Sequence, residues 1–135
     1  MNNIDYNIIP DELSEQEMEL LSSLASVKLF SDQETIFMQD SPASSMFIIA
    51  IGKVAVVQNS GGVARYLASL NAGEFLGEMA LLGHSRRNAT AVADGTVVLW
   101  EISQEIFSSL LENDKLLADK LLKTRARREH EQPPS

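Results

Sequence analysis

From Val27 to Glu101 the chain is cut into short apolar runs bounded by turn residues. No other feature narrows the possible fold as much. The runs are Val27–Leu29, Glu34–Gln39, Met46–Ile51, Val54–Gln58, Val63–Leu70, Asn88–Ala93 and Thr96–Glu101. They are rich in Val, Ile, Phe and Thr, which suit a pleated, half-buried surface, and too short for helices of ordinary length. Between them stand Asp40-Ser41-Pro42-Ala43-Ser44, Gly52, Asn59-Ser60-Gly61-Gly62 and Asp94-Gly95. The Gly61-Gly62 pair predicts a hairpin, because glycine takes positive φ without steric cost. Gly52 predicts a break between two strands, and Asp94-Gly95 a tight turn from which Thr96–Glu101 returns. Short strands at a spacing of about ten residues make an antiparallel sandwich or barrel.

Helices are expected only at the two ends. Ser14 followed by Glu17 fits a capping box, and Met18, Leu21, Leu24 and Ala25 then repeat at helical spacing, so a helix is read over Glu15–Ala25. Ser103 is a good N-cap for a helix carrying Ile106, Phe107, Leu110 and Leu111. A second closing helix is read over Asp114–Arg127, with Leu116, Leu117, Leu121 and Leu122 along one side. Residues 1–10 form an N-terminal extension whose Ile4, Tyr6, Ile8 and Ile9 are expected to lie against the domain. Residues 11–127 form one domain, and the polar stretch 128–135, ending in Pro-Pro-Ser, is expected to be disordered.

Composition excludes several classes of function. The formal net charge of −8 argues against binding to nucleic acid or to an anionic membrane. No apolar run approaches the ~18 residues needed to cross a bilayer. The absence of cysteine excludes disulfides and thiolate metal sites. With a polar, acidic N-terminus that lacks a signal-peptide pattern, this points to a cytoplasmic protein. The two histidines, His84 and His130, have no partner at metal-ligand spacing, so no metal is expected. Glu74 and Glu78 are four residues apart, but no nucleophile with a base accompanies them, so no catalytic residues are assigned and no enzyme is expected. Trp100 and the phenylalanines read as core.

One stretch, residues 71–93, has the chemistry of an anion site. It holds Gly73, Gly77 and Gly83, three of the chain's seven glycines. Glu78–Leu82 is a short run of good helix formers closed by Gly83. A turn of helix starting near Gly77 leaves its first N–H groups free to bind phosphate. Arg87 follows ten residues after Gly77 and can return across that start, where its planar fork can grip two phosphate oxygens. Arg86 adjoins it, but neighbouring side chains on an extended segment point to opposite faces, so only one can enter the pocket. A carboxylate at Glu78 beside a phosphate needs another task, and accepting hydrogen bonds from sugar hydroxyls is the obvious one.

Gly77-Glu78-Met79-Ala80-Leu81 followed, after five residues, by Arg87-Asn88-Ala89-Thr90 resembles the phosphate-binding cassette of cyclic nucleotide-binding domains. These are the sensor modules of the catabolite activator protein and of protein kinase A regulatory subunits. The resemblance spans roughly residues 10–127. It implies a mainly β fold: an antiparallel, jelly-roll-like β-roll with an N-terminal helix and two C-terminal helices. It also implies ligand contacts from Phe75, Leu76, Gly77, Glu78, Met79, Ala80, Arg87, Asn88 and Ala89, in a pocket walled by residues 63–93. In that resemblance Glu78 takes the ribose 2′-hydroxyl, Arg87 takes the cyclic phosphate, and backbone amides near Ala80 and Asn88 assist. Arg86 departs from the pattern, since many members carry proline there. Guanine selectivity in the family resembles a hydroxyl just after the cassette arginine. Asn88 stands there instead, which makes cAMP the expected ligand, with cGMP next.

No cofactor beyond that ligand is implied. The partner is expected to be an unknown protein in trans or a second copy of the chain, and the closing helix is expected to fold over the base as a lid. Two other readings stay open: a degenerate member serving as an interaction scaffold, and a transcription regulator lacking its DNA-binding domain.

Overall fold

The computed structural model describes residues 13–77 and 85–121. Helix α1 (Glu15–Leu24) is followed by strands β1 (Ser26–Phe30), β2 (Thr35–Phe37), β3 (Pro42–Ala43), β4 (Ser45–Ser60), β5 (Val63–Asn71), β6 (Phe75–Leu76), β7 (Ser85–Arg86) and β8 (Thr90–Ser103), and then by α2 (Gln104–Asn113). Residues 115–121 are again helical. The helix starts follow from their caps. At α1 the Ser14 hydroxyl accepts from the N–H of Glu17, and the Glu17 carboxylate accepts from the N–H of Ser14. At α2 the Ser103 hydroxyl accepts from the N–H of Ile106 at 3.1 Å. Expectations for residues 1–12, 78–84 and 122–135 lie outside the described residues.

The main sheet is antiparallel, in the order β1-β8-β4-β5, with β2 added along β8 and β6 along β4; β3 and β7 form a separate small ladder. This is the β-roll with terminal helices that the motif implied. Gly61 and Gly62, at φ 60° and 82°, close the β4–β5 hairpin where the sequence placed it. Two expectations about strands are corrected. Met46–Ile51 and Val54–Gln58 are one strand, β4, which passes through Gly52. Asn88–Ala93 and Thr96–Glu101 likewise do not reverse at Gly95: Thr90–Ser103 is one strand. Its partner on β4 is Ile51 at Val98 and Lys53 at Asp94, so Gly52 stands opposite Gly95, Thr96 and Val97. Both glycines take positive φ, 100° and 85°, and the two strands bend together. A Cβ at Gly52 would collide with the carbonyl oxygen of Thr96.

Alternation along β4 sends its side chains to two cores. On one face Met46, Ile48 and Ala50 pack with Trp100 and Ile102 beneath Met18, Leu21, Phe107, Leu110, Leu117, Ala118 and Leu121 from the helices. On the other, Phe47, Ile49 and Val54 pack with Leu70, Leu76, Ala91, Ala93, Val97 and Leu99, flanked by Phe37. Leu111 and Leu116 do not pack as expected and are exposed. The apolar face of α2 is centred on Phe107 and Leu110, and that of the last helix on Leu117, Ala118 and Leu121, so residues 111 and 116 fall off the buried stripe. Nζ of Lys120 lies 2.8 Å from Oε1 of Glu17, joining the last helix to α1.

Candidate ligand-binding site

The site lies at the rim of the second core, where two turns meet. The first is built by glycine and Glu74. Gly73, at φ 91°, turns the chain so that its N–H reaches the carbonyl of Ile49 at 2.8 Å, while the Glu74 carboxylate accepts from the N–H of Asn71. Glu74 is thus engaged in holding the turn. β6 then pairs with β4, Ile48 with Phe75 and Phe47 with Leu76, and delivers the chain to Gly77.

The second turn carries Arg87. β7 pairs with β3, Pro42 with Arg86. Past this ladder the N–H of Arg87 donates to the carbonyl of Ser41 at 2.9 Å, and its own carbonyl accepts from the N–H of Asp40 at 2.7 Å. The two arginines part here, as the alternation predicted. Arg86 is exposed and its Nη1 donates to the Asp40 carbonyl at 2.7 Å. Arg87 turns inward and is 7% exposed.

Among the described residues, backbone carbonyls and aromatic rings hold the guanidinium of Arg87. Nη2 donates to the carbonyl of Ser45 at 2.8 Å, and Nη1 to that of Gly77 at 3.4 Å. Its Cζ stands 4.1 Å from the centroid of the Phe37 ring and 5.8 Å from that of Phe47. Those rings stack on each other, centroids 6.0 Å apart and 25° between planes. A cation against the negative face of a desolvated ring is favourable, and the stack fixes the plane of the guanidinium. These contacts fix the direction of a planar, two-pronged donor whose shape matches the oxygens of a phosphate or carboxylate.

The other expected residues separate into groups. Phe75 and Leu76 have buried side chains in the two cores, so only their backbone faces the turn. Gly77 adjoins Arg87 as the motif required. Asn88 is exposed, with its carbonyl accepting from Nε2 of Gln58 at 2.9 Å, and Ala89 is buried. Glu78, Met79 and Ala80 lie outside the described residues. Sequence reasoning missed three neighbours of Arg87. Ser45 acts through a backbone carbonyl, which leaves no mark in a sequence. Phe37 and Phe47 were read only as core, though their places in two strands of one inner face were available.

Of the helix expected as a lid over Asp114–Arg127, residues 122–127 lie outside the described residues, and only 115–121 can be placed. Those residues pack through Leu117, Ala118 and Leu121 on the helix-covered face of the sheet, whereas Arg87 stacks on Phe47, which points to the other face.

The cyclic nucleotide-binding domain profile matches residues 27–114, and the chain belongs to that family. It is 33% identical over 117 residues to the cyclic AMP receptor protein of Thermus thermophilus, covering 86% of this chain and 54% of that protein. It is 30% identical over 98 residues to the cAMP-dependent protein kinase regulatory subunit of Mucor circinelloides, covering 73% of this chain and 23% of that subunit. The crystal structure of the Thermus thermophilus catabolite activator protein superposes with a TM-score of 0.80 at 33% identity, over 88% of this chain and 56% of that one. The chain therefore spans about half of the Thermus relative. Among the described residues no helix is long and apolar enough to cross a membrane.

Proposed function

We propose that this domain is a sensor that binds cAMP and passes its occupancy to a protein partner in trans, without catalysis of its own. Arg87 carries this reading. It is a buried cation whose plane is set by Phe37 and whose position is set by the Ser45 carbonyl. In this reading the oriented guanidinium meets the cyclic phosphate with little reorganisation. Glu78 takes the ribose 2′-hydroxyl by its place in the motif, and Asn88 meets the edge of the base. The Thermus and Mucor relatives, whose names carry cAMP, support the choice of nucleotide.

Asn88 presents both an acceptor oxygen and a donor NH₂, so it discriminates weakly between adenine and guanine. One neutral hydrogen bond contributes about 0.5–1.5 kcal/mol, about tenfold in affinity at most. Titration calorimetry of the chain against cAMP, cGMP and a cyclic dinucleotide tests the reading. The expected result is binding of both mononucleotides, cAMP the tighter by about tenfold or less. Failure of both to bind contradicts the sensor reading, and a cGMP preference above about a hundredfold contradicts the role of Asn88.

A further inference from the structure

β4 outruns β8. The last backbone pair between them is Val57 with Thr90, while β4 continues to Ser60 and stays paired with β5 on its other edge. Past Val57, side-chain amides take over the side of the ladder that β8 has left. Nε2 of Gln58 donates to the carbonyl of Asn88 at 2.9 Å. Gln39 makes a reciprocal pair with the backbone of Asn59: its Nε2 donates to the Asn59 carbonyl at 2.8 Å, and its Oε1 accepts the Asn59 N–H at 2.7 Å. The N–H of Gln39 donates in turn to Oγ1 of Thr90 at 2.9 Å. The hairpin end, the β2–β3 turn and the start of β8 are thereby tied together around Asn88.

Asn88 is held by its two flanking peptide planes. The plane before it is fixed where the Arg87 carbonyl accepts from Asp40, and the plane after it where its own carbonyl accepts from Gln58. Peptide units are planar, so pinning both sets φ and ψ at Asn88, and with them the direction in which its side chain leaves the backbone. Hydrogen bonds weaken steeply once their angle falls below about 120°, so that direction decides what the carboxamide can read.

We propose that Gln58 is a positioning residue for base selection: by pinning the peptide after Asn88 it aims the Asn88 carboxamide at the purine edge and sets the balance between adenine and guanine cyclic nucleotides. This rests on the reading of the site as a cyclic nucleotide pocket. Gln58 acts through Asn88, and the phosphate grip of Arg87 is built from other groups, Ser45, Gly77 and Phe37. The backbone pairing of Gln58 with Arg65 does not use its side chain, so the hairpin survives its replacement.

The test is calorimetric titration with cAMP and with cGMP of the full chain, Gln58→Met, Asn88→Ala and the double variant, with thermal unfolding of each. Gln58→Met keeps the length of the side chain and removes the donor; Gln58→Glu, which puts an acceptor there, serves as a second variant. Each single variant is expected to shift the ratio of the two dissociation constants in the same direction, by about two- to tenfold. The double variant is expected to shift it no further than Asn88→Ala alone, because both changes act on one contact. Equal loss for both nucleotides in Gln58→Met and Gln58→Glu, no shift in Asn88→Ala, or additive shifts in the double variant overturns the positioning role and leaves the pocket reading standing. Absence of binding in the unmodified chain overturns both.

Discussion

Gly77 and Arg87 share one volume. A Cβ added at residue 77 would fall on Nη1 of Arg87, and the backbone there sits at φ 76°, where side chains other than glycine are disfavoured. The glycine of the motif is therefore required twice, by its own conformation and by the approach of the arginine ten residues later. Gly77→Ala is expected to cost about 1–2 kcal/mol of stability from the backbone alone. It also displaces the guanidinium, so cAMP affinity is expected to fall by more than that of a Gly61→Ala control, whose added Cβ meets nothing within 4 Å. Calorimetry on both variants, each checked by unfolding, reads the difference.

Phe37 sets the plane of the guanidinium. Phe37→Leu keeps an apolar side chain and removes the ring face that stands 4.1 Å from Cζ. A desolvated cation–π contact contributes about 0.5–2 kcal/mol, so affinity for cAMP is expected to fall by about two- to thirtyfold. Equal affinity in Phe37→Leu would show that the other contacts of Arg87 suffice to hold it.

Glu17 joins α1 to the last helix through Lys120, and it also closes the α1 capping box. Burial raises its pKa, but the hydrogen bonds from Lys120 and from the N–H of Ser14, with the Lys120 charge, outweigh that and hold the carboxyl below its ordinary value of 4.5. A depressed folded pKa gives stability that is fully present above the unfolded value and is lost as pH falls through the folded one. Glu17→Gln keeps an acceptor for the cap and removes the charge. It is expected to cost about 0.2–1 kcal/mol at neutral pH, and the gap from the unmodified chain is expected to close as pH drops below 4.5. Urea unfolding at neutral and acid pH measures the gap; a constant difference would place the effect in the cap.

The parts of the fold with local signals were legible. Ser14 with Glu17, Ser103, and the Gly61-Gly62 pair announce themselves within a few residues, and each formed the cap or turn expected. Gly52 and Gly95 did not. A glycine within an apolar stretch marks an unusual backbone but not whether the chain reverses or only bends. The partner decides that, and here the two glycines face each other across β4 and β8. Ser31–Asp32–Gln33 reinforces the bend from outside, where the Asp32 carboxylate accepts the N–H of Gly95 at 2.7 Å. That contact holds the Asp32 carboxyl below its ordinary value.

The site was legible where it is a motif and hidden where it is an assembly. Alternation indicated that only one of Arg86 and Arg87 turns inward, the motif named Arg87, and in the structure Arg87 is buried and Arg86 exposed. Phe37 of β2 and Phe47 and the Ser45 carbonyl of β4, which touch Arg87, are distant from it in sequence and brought together only by the roll. The packing of residues 115–121 on the helix-covered face was hidden for the same reason: a leucine stripe states that a helix packs, not against which face.

The central claim is that Arg87, and not its neighbour, complements the charge of the nucleotide. The protein carries a net charge of −8, so binding of an anion depends on local positive potential. The most direct measurement is a calorimetric titration of Arg87→Ala and Arg86→Ala with cAMP, each variant first checked for intact folding. Removing one side of a buried charge pair costs about 2–5 kcal/mol, so Arg87→Ala is expected to lose about thirty- to several-thousandfold in affinity. Arg86→Ala removes an exposed hydrogen bond to Asp40 and is expected to stay within about tenfold of the unmodified chain. Equal losses in the two variants, or no loss in Arg87→Ala, would contradict the assignment.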